Sequence, residues 1–157
     1  MEVNFRDAQV DEIVSKLNIN KSQVEEIVNG YVDYLKNKLT LGESIDVLGI
    51  CSIVYGGDKK SRLVEPLGYV AYELADLLNQ SNITVKRVLD TWQEVIEKLI
   101  TTNKPVTIKG LIRLKTNEEK GKVKLRIKKS TTLNNVEVRI STNDFFRRKV
   151  ETVLNGR

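Results

Sequence analysis

Apolar residues fall along this chain in two rounds of the same pattern: a helical-period stripe, a polar break, a longer helical stripe, then short alternating runs. Val10, Ile13, Val14 and Leu17 recur at steps of three and four, which predicts a helix near Phe5–Leu17. Asn18-Ile-Asn20 breaks it, and Asn20 or Ser22 is placed to cap the next helix, with Glu25 and Glu26 in its first turns. That helix extends to about Leu39, with Val24, Ile27, Val28, Tyr31, Leu35 and Leu39 on its inner face and Gly42 as its stop. Ser44–Tyr55 then reads as two short strands pivoting at Gly49. Gly56-Gly57-Asp58 predicts a turn, and Arg62–Glu65 a third short strand ended by Pro66 and Gly68.

The second round follows at an offset of sixty-one residues, without a gap, residues 10–54 falling on 71–115. Ile13 meets Leu74, Val24 meets Val85, Tyr31 meets Trp92, Leu35 meets Ile96, Val47 meets Ile108 and Gly49 meets Gly110. The pairs keep apolar character and rough size rather than identity, the mark of a supersecondary unit used twice. Helices are expected over about Tyr69–Leu78 and Thr84–Thr101, and strands over Val106–Lys109 and Leu111–Thr116. No Pro- or Ser-rich linker separates the rounds, which predicts units packed together.

Beyond Thr116 the rounds diverge. A charged turn, Asn117–Gly121, leads into Lys122-Val-Lys-Leu-Arg-Ile-Lys128. A period of two puts Val123, Leu125 and Ile127 on one side of a strand and Lys122, Lys124, Arg126 and Lys128 on the other. Ser130–Asn135 reads as a polar turn and Val136–Ile140 as a further strand. A last helix begins near Asn143, capped by Thr142 or Asn143. Its inner side is expected to hold Phe145, Phe146, Val150, Val153 and Leu154, beside Arg147, Arg148 and Lys149.

Charge sharpens the picture. The net charge is +5 over 157 residues, but it is unevenly spread. Residues 1–78 hold 8 Lys+Arg against 13 Asp+Glu, a balance of −5; residues 79–157 hold 18 against 8, a balance of +10. Residues 104–129 carry ten Lys/Arg, opposed only by Glu118 and Glu119. A gradient this steep points one end of the molecule at a polyanion.

Familiar reaction chemistry is missing from the pattern. The sequence has no histidine, the commonest general base and metal ligand. Cys51, the single cysteine, lies in an apolar strand as a buried thiol would. No phosphate-cradling glycine loop and no nucleophile elbow occurs. Glu118-Glu119 fits a solvated turn, and Trp92, the counterpart of Tyr31, fits core packing. No apolar run reaches the roughly 18–20 residues of a membrane span, and the acidic N-terminus is not expected to be a signal peptide. The expectation is a non-enzymatic protein without cofactor or metal, away from membranes and in the cytoplasm.

The order helix, polar turn, long helix, Gly, strand, Gly, strand resembles the bacterial histone-like proteins HU and integration host factor. The resemblance rests on Val10–Tyr55, above all Leu17-Asn-Ile-Asn-Lys-Ser-Gln-Val24 and Leu41-Gly-Glu-Ser-Ile-Asp-Val-Leu-Gly-Ile50. Gly42, Glu43, Ile45, Val47 and Gly49 match that family's Gly-acidic-x-apolar-x-apolar-x-Gly stretch. Val106, Ile108 and Gly110 match it again, with Asn103 for the first glycine. Arg113–Asn135 is similar in length and charge to the family's basic β-arm, Val136–Ile140 to its returning strand and Asn143–Asn155 to its closing helix. The sequence departs where the family carries an aromatic-Gly pair, here Ile50-Cys51 and Leu111-Ile112. It departs also in an arm without the proline that wedges between bases, leaving Leu125 or Leu133 as the candidate inserts. The first unit has only Gly56–Arg62 where an arm would be.

The resemblance implies an α+β fold of two tandem units: residues 1–66, with a truncated arm, and 67–157, with a basic β-arm and closing helix. It implies a single-chain pseudo-dimer joined through Tyr31, Leu35, Trp92 and Ile96, or else a homodimer, and double-stranded DNA as the partner in a nucleoid-associated role. The candidate DNA-binding residues are Arg113, Lys115, Lys120, Lys122, Lys124, Arg126, Lys128, Lys129, Arg139, Arg147, Arg148 and Lys149. The competing expectation is a protein-interaction module whose acidic N-terminal half docks a basic partner.

Overall fold

Helix α1 spans Phe5–Leu17 and α2 Lys21–Thr40. The Asn20 side chain caps α2 by accepting from the Ser22 N–H at 2.8 Å, satisfying one of the donors a helix start leaves open. Strands β1 (Ile45–Val47) and β2 (Cys51–Tyr55) follow. Helices α3 (Leu67–Leu78) and α4 (Asn82–Thr101) come next, then strands β3 (Val106–Ile108), β4 (Ile112–Glu119) and β5 (Lys122–Lys129). A 3-10 turn at Thr131–Leu133 leads to β6 (Val138–Thr142) and to α5 (Asp144–Asn155), which Asn143 caps. The computed structural model describes residues 5–55 and 64–156, and the side chains from Ala8 onward. The expected turn at Gly56-Gly57-Asp58, the start of the strand expected at Arg62–Glu65 and the Gly56–Arg62 arm stump lie outside the described residues. Val64 and Glu65 take no strand.

The sixty-one-residue offset carries through to the backbone. Helices α2 and α4 begin sixty-one residues apart and are both 20 residues long; β1 and β3 cover equivalent positions. Left-handed residues recur in register: Asn18 with Asn79 after the first helices, Gly42 with Asn103 after the long ones, Gly49 with Gly110 between strands. Asparagine is among the few side chains that adopt this conformation readily, which is why Asn103 can stand where the first round has glycine.

The fold is α+β, with two three-stranded antiparallel sheets ordered β1-β2-β6 and β3-β4-β5. Three expectations about the tail are corrected here. First, the hairpin expected within Arg113–Asn135 ends at Lys129, and Ser130–Asn135 lies outside it. β4 and β5 form a hairpin paired from Ile112↔Lys129 to Glu119↔Lys122, closed by Lys120-Gly121 alone, both at positive φ. The pairing of β4 runs on to Glu119, and two left-handed residues make the turn whose twist suits paired strands. Second, the strand expected at Val136–Ile140 is Val138–Thr142, and it pairs with β2, from Cys51↔Thr142 to Tyr55↔Val138. The last strand thus completes the first sheet. Third, Phe145 is not on the inner side of α5: it is 77% exposed, and Val153 is exposed too, while Phe146 and Val150 are buried.

A single apolar cluster joins the halves, running from Val10 and Ile13 to Phe146 and Val150. Tyr31 and Trp92 meet edge to face at its centre, ring centroids 5.9 Å apart and planes at 75°, a favoured aromatic geometry. Their polar ends are satisfied differently. The Trp92 indole donates to Gln9 Oε1 at 2.7 Å, and Gln9 Nε2 donates on to the Thr107 carbonyl at 3.3 Å. The Tyr31 hydroxyl accepts from the Leu48 N–H at 2.9 Å and donates to the Asp46 carbonyl at 3.2 Å. Leu48 holds φ of 53° in the β1–β2 turn, a costly conformation for a branched side chain. The Tyr31 hydroxyl and Gln93, whose Nε2 donates to the Leu48 carbonyl at 2.7 Å, pin that turn from both sides.

Candidate nucleic-acid interface

The pleat of the second sheet sorts its side chains. Ile112 and Leu114 of β4 and Leu125 of β5 are buried, with Ile127 packed partly against the core. Arg113, Lys115, Lys122, Lys124, Arg126 and Lys128 project from the opposite, exposed face. The register sets the cations against one another: Arg113 lies opposite Lys128, Lys115 opposite Arg126, and Asn117 opposite Lys124. Strands sit about 4.8 Å apart and alternate residues about 7 Å apart, so six cations occupy one small surface. Like charges directly opposite on a sheet are destabilising. Arg126 is paired with Glu119, whose carboxyl the guanidinium hydrogen bond holds below its ordinary range. Arg113, Lys115, Lys122, Lys124 and Lys128 make no ion pair among the described residues.

The other candidate residues disperse. Lys120 is in the hairpin turn, at the rim of the cationic face. Lys129 falls on the inward side of β5, half-exposed. Arg139 lies on the other sheet, opposite Val54. Arg147 is paired with Asp144, and Lys149 with Glu97 of α4, the latter reaching over the Phe145 ring. Arg148 is exposed on α5. Leu125 and Leu133, the candidate inserts, are both buried and are not available to enter a base step.

How α5 guards the sheet carries no signature in the local residue pattern. β5 is the free edge of its sheet. The Glu151 carboxylate accepts from the Leu125 N–H, and the Asn155 side chain both accepts from the Val123 N–H and donates to its carbonyl, each at 2.8 Å. Two helical side chains thereby satisfy ladder groups that would otherwise template another strand.

A second, acidic surface surrounds a groove of about 370 Å³ between α2, β1 and the segment entering α3, lined in part by Tyr34, Lys38, Glu43 and Glu65. Lys38 pairs with Glu65 at 3.1 Å and Glu43 at 3.8 Å. Burial opposes its charge, but the Glu65 hydrogen bond and the surrounding carboxylates prevail and raise its pKa. Hydrogen bonds from Tyr34 and Tyr69 hold the Glu73 carboxyl low. Tyr72 and Leu77 of α3 are well exposed nearby in sequence. Burial also pushes the Cys51 thiol far up, so it stays protonated and inert.

No described helix is long and apolar enough to cross a membrane, and among the described residues no group of three His, Cys, Asp or Glu side chains gathers as a metal site. The fold and this surface define a class: an α+β protein built from a doubled helix–helix–strand–strand unit, with one cationic sheet. A scan of protein-family models, a search of curated proteins and a search of solved structures each find no match to this chain.

Proposed function

We propose that this protein is a non-enzymatic, sequence-independent binder of duplex DNA, a divergent tandem relative of the histone-like proteins, gripping phosphates with the outer face of β3-β4-β5. The observation that carries this is the like-charge register of the hairpin, Arg113 against Lys128 and Lys115 against Arg126. A polyanion laid on that face converts the mutual repulsion into attraction. Phosphates recur about every 3.4 Å along one DNA strand, so cations about 7 Å apart suit every second phosphate. Such contacts hold a duplex without reading its bases. The outer face of the first sheet carries Asp46, Ser52, Ser141 and Arg139 at the corresponding sites, so the grip is one-sided. A hairpin with short, inward-packed leucines favours binding without a side-chain wedge.

The test is a titration of duplex DNA across salt concentrations. Five unpaired cations, each meeting one phosphate, give a slope of log K against log salt of about −4.5. A slope near zero removes the reading. A second reading draws on the exposed Tyr69, Tyr72 and Leu77 of α3 beside Glu65, Glu73 and Asp76: docking of a cationic protein on the acidic half. Charge reversal at Lys124 and Arg126 separates the two, since DNA retention falls on the first reading and partner binding persists on the second.

A further inference from the structure

The cationic face is not uniform along the hairpin, and the difference locates its anchor. At the hairpin tip, Glu119 pairs with Arg126, lies opposite Lys122 in the register and lowers its own pKa through Arg126 and, more weakly, Lys124. The tip therefore carries its own counter-charge. At the base of the sheet nothing plays that part. Thr107, Arg113 and Lys128 form one row across all three strands, with Lys115 the next outward residue on β4. They line a recess of about 200 Å³ together with Pro105 and Leu114. No carboxylate lines this recess, and none of its three cations has an ion pair among the described residues.

We infer that this recess is a phosphate-binding subsite, occupied by a backbone phosphodiester of the duplex, and that it anchors the protein at the base of the sheet instead of at the hairpin tip. This rests on the DNA-binding reading above. Three properties select the ligand. Two lysines and an arginine around one depression favour a multiply coordinated oxyanion. The planar fork of Arg113 offers two parallel donors to a tetrahedral anion. Thr107 brings a hydroxyl to the same row, and its backbone carbonyl is engaged by Gln9, which also holds Trp92, so that the recess is backed by the core. That backing fixes the floor of the recess, as a binding site requires.

The experiment uses the full chain and two charge-matched double variants, Arg113→Gln with Lys128→Gln at the base and Lys122→Gln with Lys124→Gln at the tip. Affinity for a mixed-sequence duplex is measured across salt concentrations. Amide shifts are followed separately in the wild type with inorganic phosphate, against chloride at equal ionic strength. The base variant is expected to lose about a hundredfold in duplex affinity and about 2 units of salt slope, one per contact removed, while the tip variant, whose lysines lie beside the Glu119 counter-charge, loses no more than about tenfold. Phosphate should move the amides of Thr107, Arg113, Lys115 and Lys128. Thermal melting shows that both variants remain folded, and the base variant should melt no lower than wild type, because its substitutions relieve a like-charge pair. Equal losses in the two variants, or phosphate shifts centred on Lys122 and Lys124, overturn the subsite while leaving DNA binding intact. Phosphate shifts at the recess in a chain that ignores duplex DNA uphold the anion site and remove the DNA-binding reading.

Discussion

At the scale of single residues, the aromatic pair at the centre shows how one duplicated position came to serve two purposes. Tyr31 and Trp92 are equivalents in the repeat, yet the first spends its hydroxyl on the β1–β2 turn and the second spends its indole N–H on Gln9. Replacing Tyr31 by Phe keeps the ring and leaves the buried Leu48 N–H without an acceptor. The expected cost is about 1–3 kcal/mol, read as a lower urea midpoint at unchanged m-value. Asp46, in the strand that enters that turn, gives a pH signature. Burial raises its pKa, against the opposing hydrogen bond from the Gly49 N–H at 2.9 Å. The folded state then holds the proton more tightly than the unfolded chain. The stability this contributes is present below the ordinary carboxylate range and is lost as pH rises through the raised folded value. Asp46→Asn, which keeps an acceptor for Gly49, should flatten that part of a stability profile measured between about pH 3 and 7. A profile unchanged by the substitution would place the titration elsewhere.

At the scale of elements, α5 is a guard as well as a cap on the core. Replacing Glu151 and Asn155 by Ala should expose the N–H groups of Leu125 and Val123 on the β5 edge. Hydrogen exchange at those two amides should quicken well beyond that of their neighbours on β4, and concentrated samples should self-associate. The long helices and the first strands are legible in the sequence, because apolar period acts locally and the repeat presents it twice. The alternating cations of β5 are legible because a period of two is likewise local, and Lys122, Lys124, Arg126 and Lys128 do share one face. What local patterns do not carry is pairing. Nothing in Val138–Thr142 says that its partner is β2, eighty-odd residues earlier, so Arg139 could be assigned to the wrong sheet. Hairpin length was hidden because Asn117–Glu119 is polar, like a loop, while being paired in β4. Phe145 and Phe146 are equally apolar yet only Phe146 is buried, since hydrophobicity alone does not fix which side of a short helix faces inward.

At the scale of the whole molecule, the halves are joined by more than a shared surface. Helix α1 lies against α4 through Gln9, Trp92 and the Lys98–Glu12 pair, and β6 returns to the first sheet. A fragment of residues 1–66 is therefore expected to lack a cooperative unfolding transition. The full chain, whose apolar stripes already meet one another, is expected to be a monomer by light scattering; a concentration-independent dimer would move the Tyr31–Trp92 contact between chains. The placement of β6 has a temporal consequence. Val138–Thr142 finishes a sheet whose other members, Ile45–Val47 and Cys51–Tyr55, are made more than eighty residues earlier. A nascent polypeptide leaving the ribosome must carry β1 and β2 without their third strand until residues 138–142 have been made. Its amino-terminal half is thus the stretch most in need of a chaperone's shelter during synthesis.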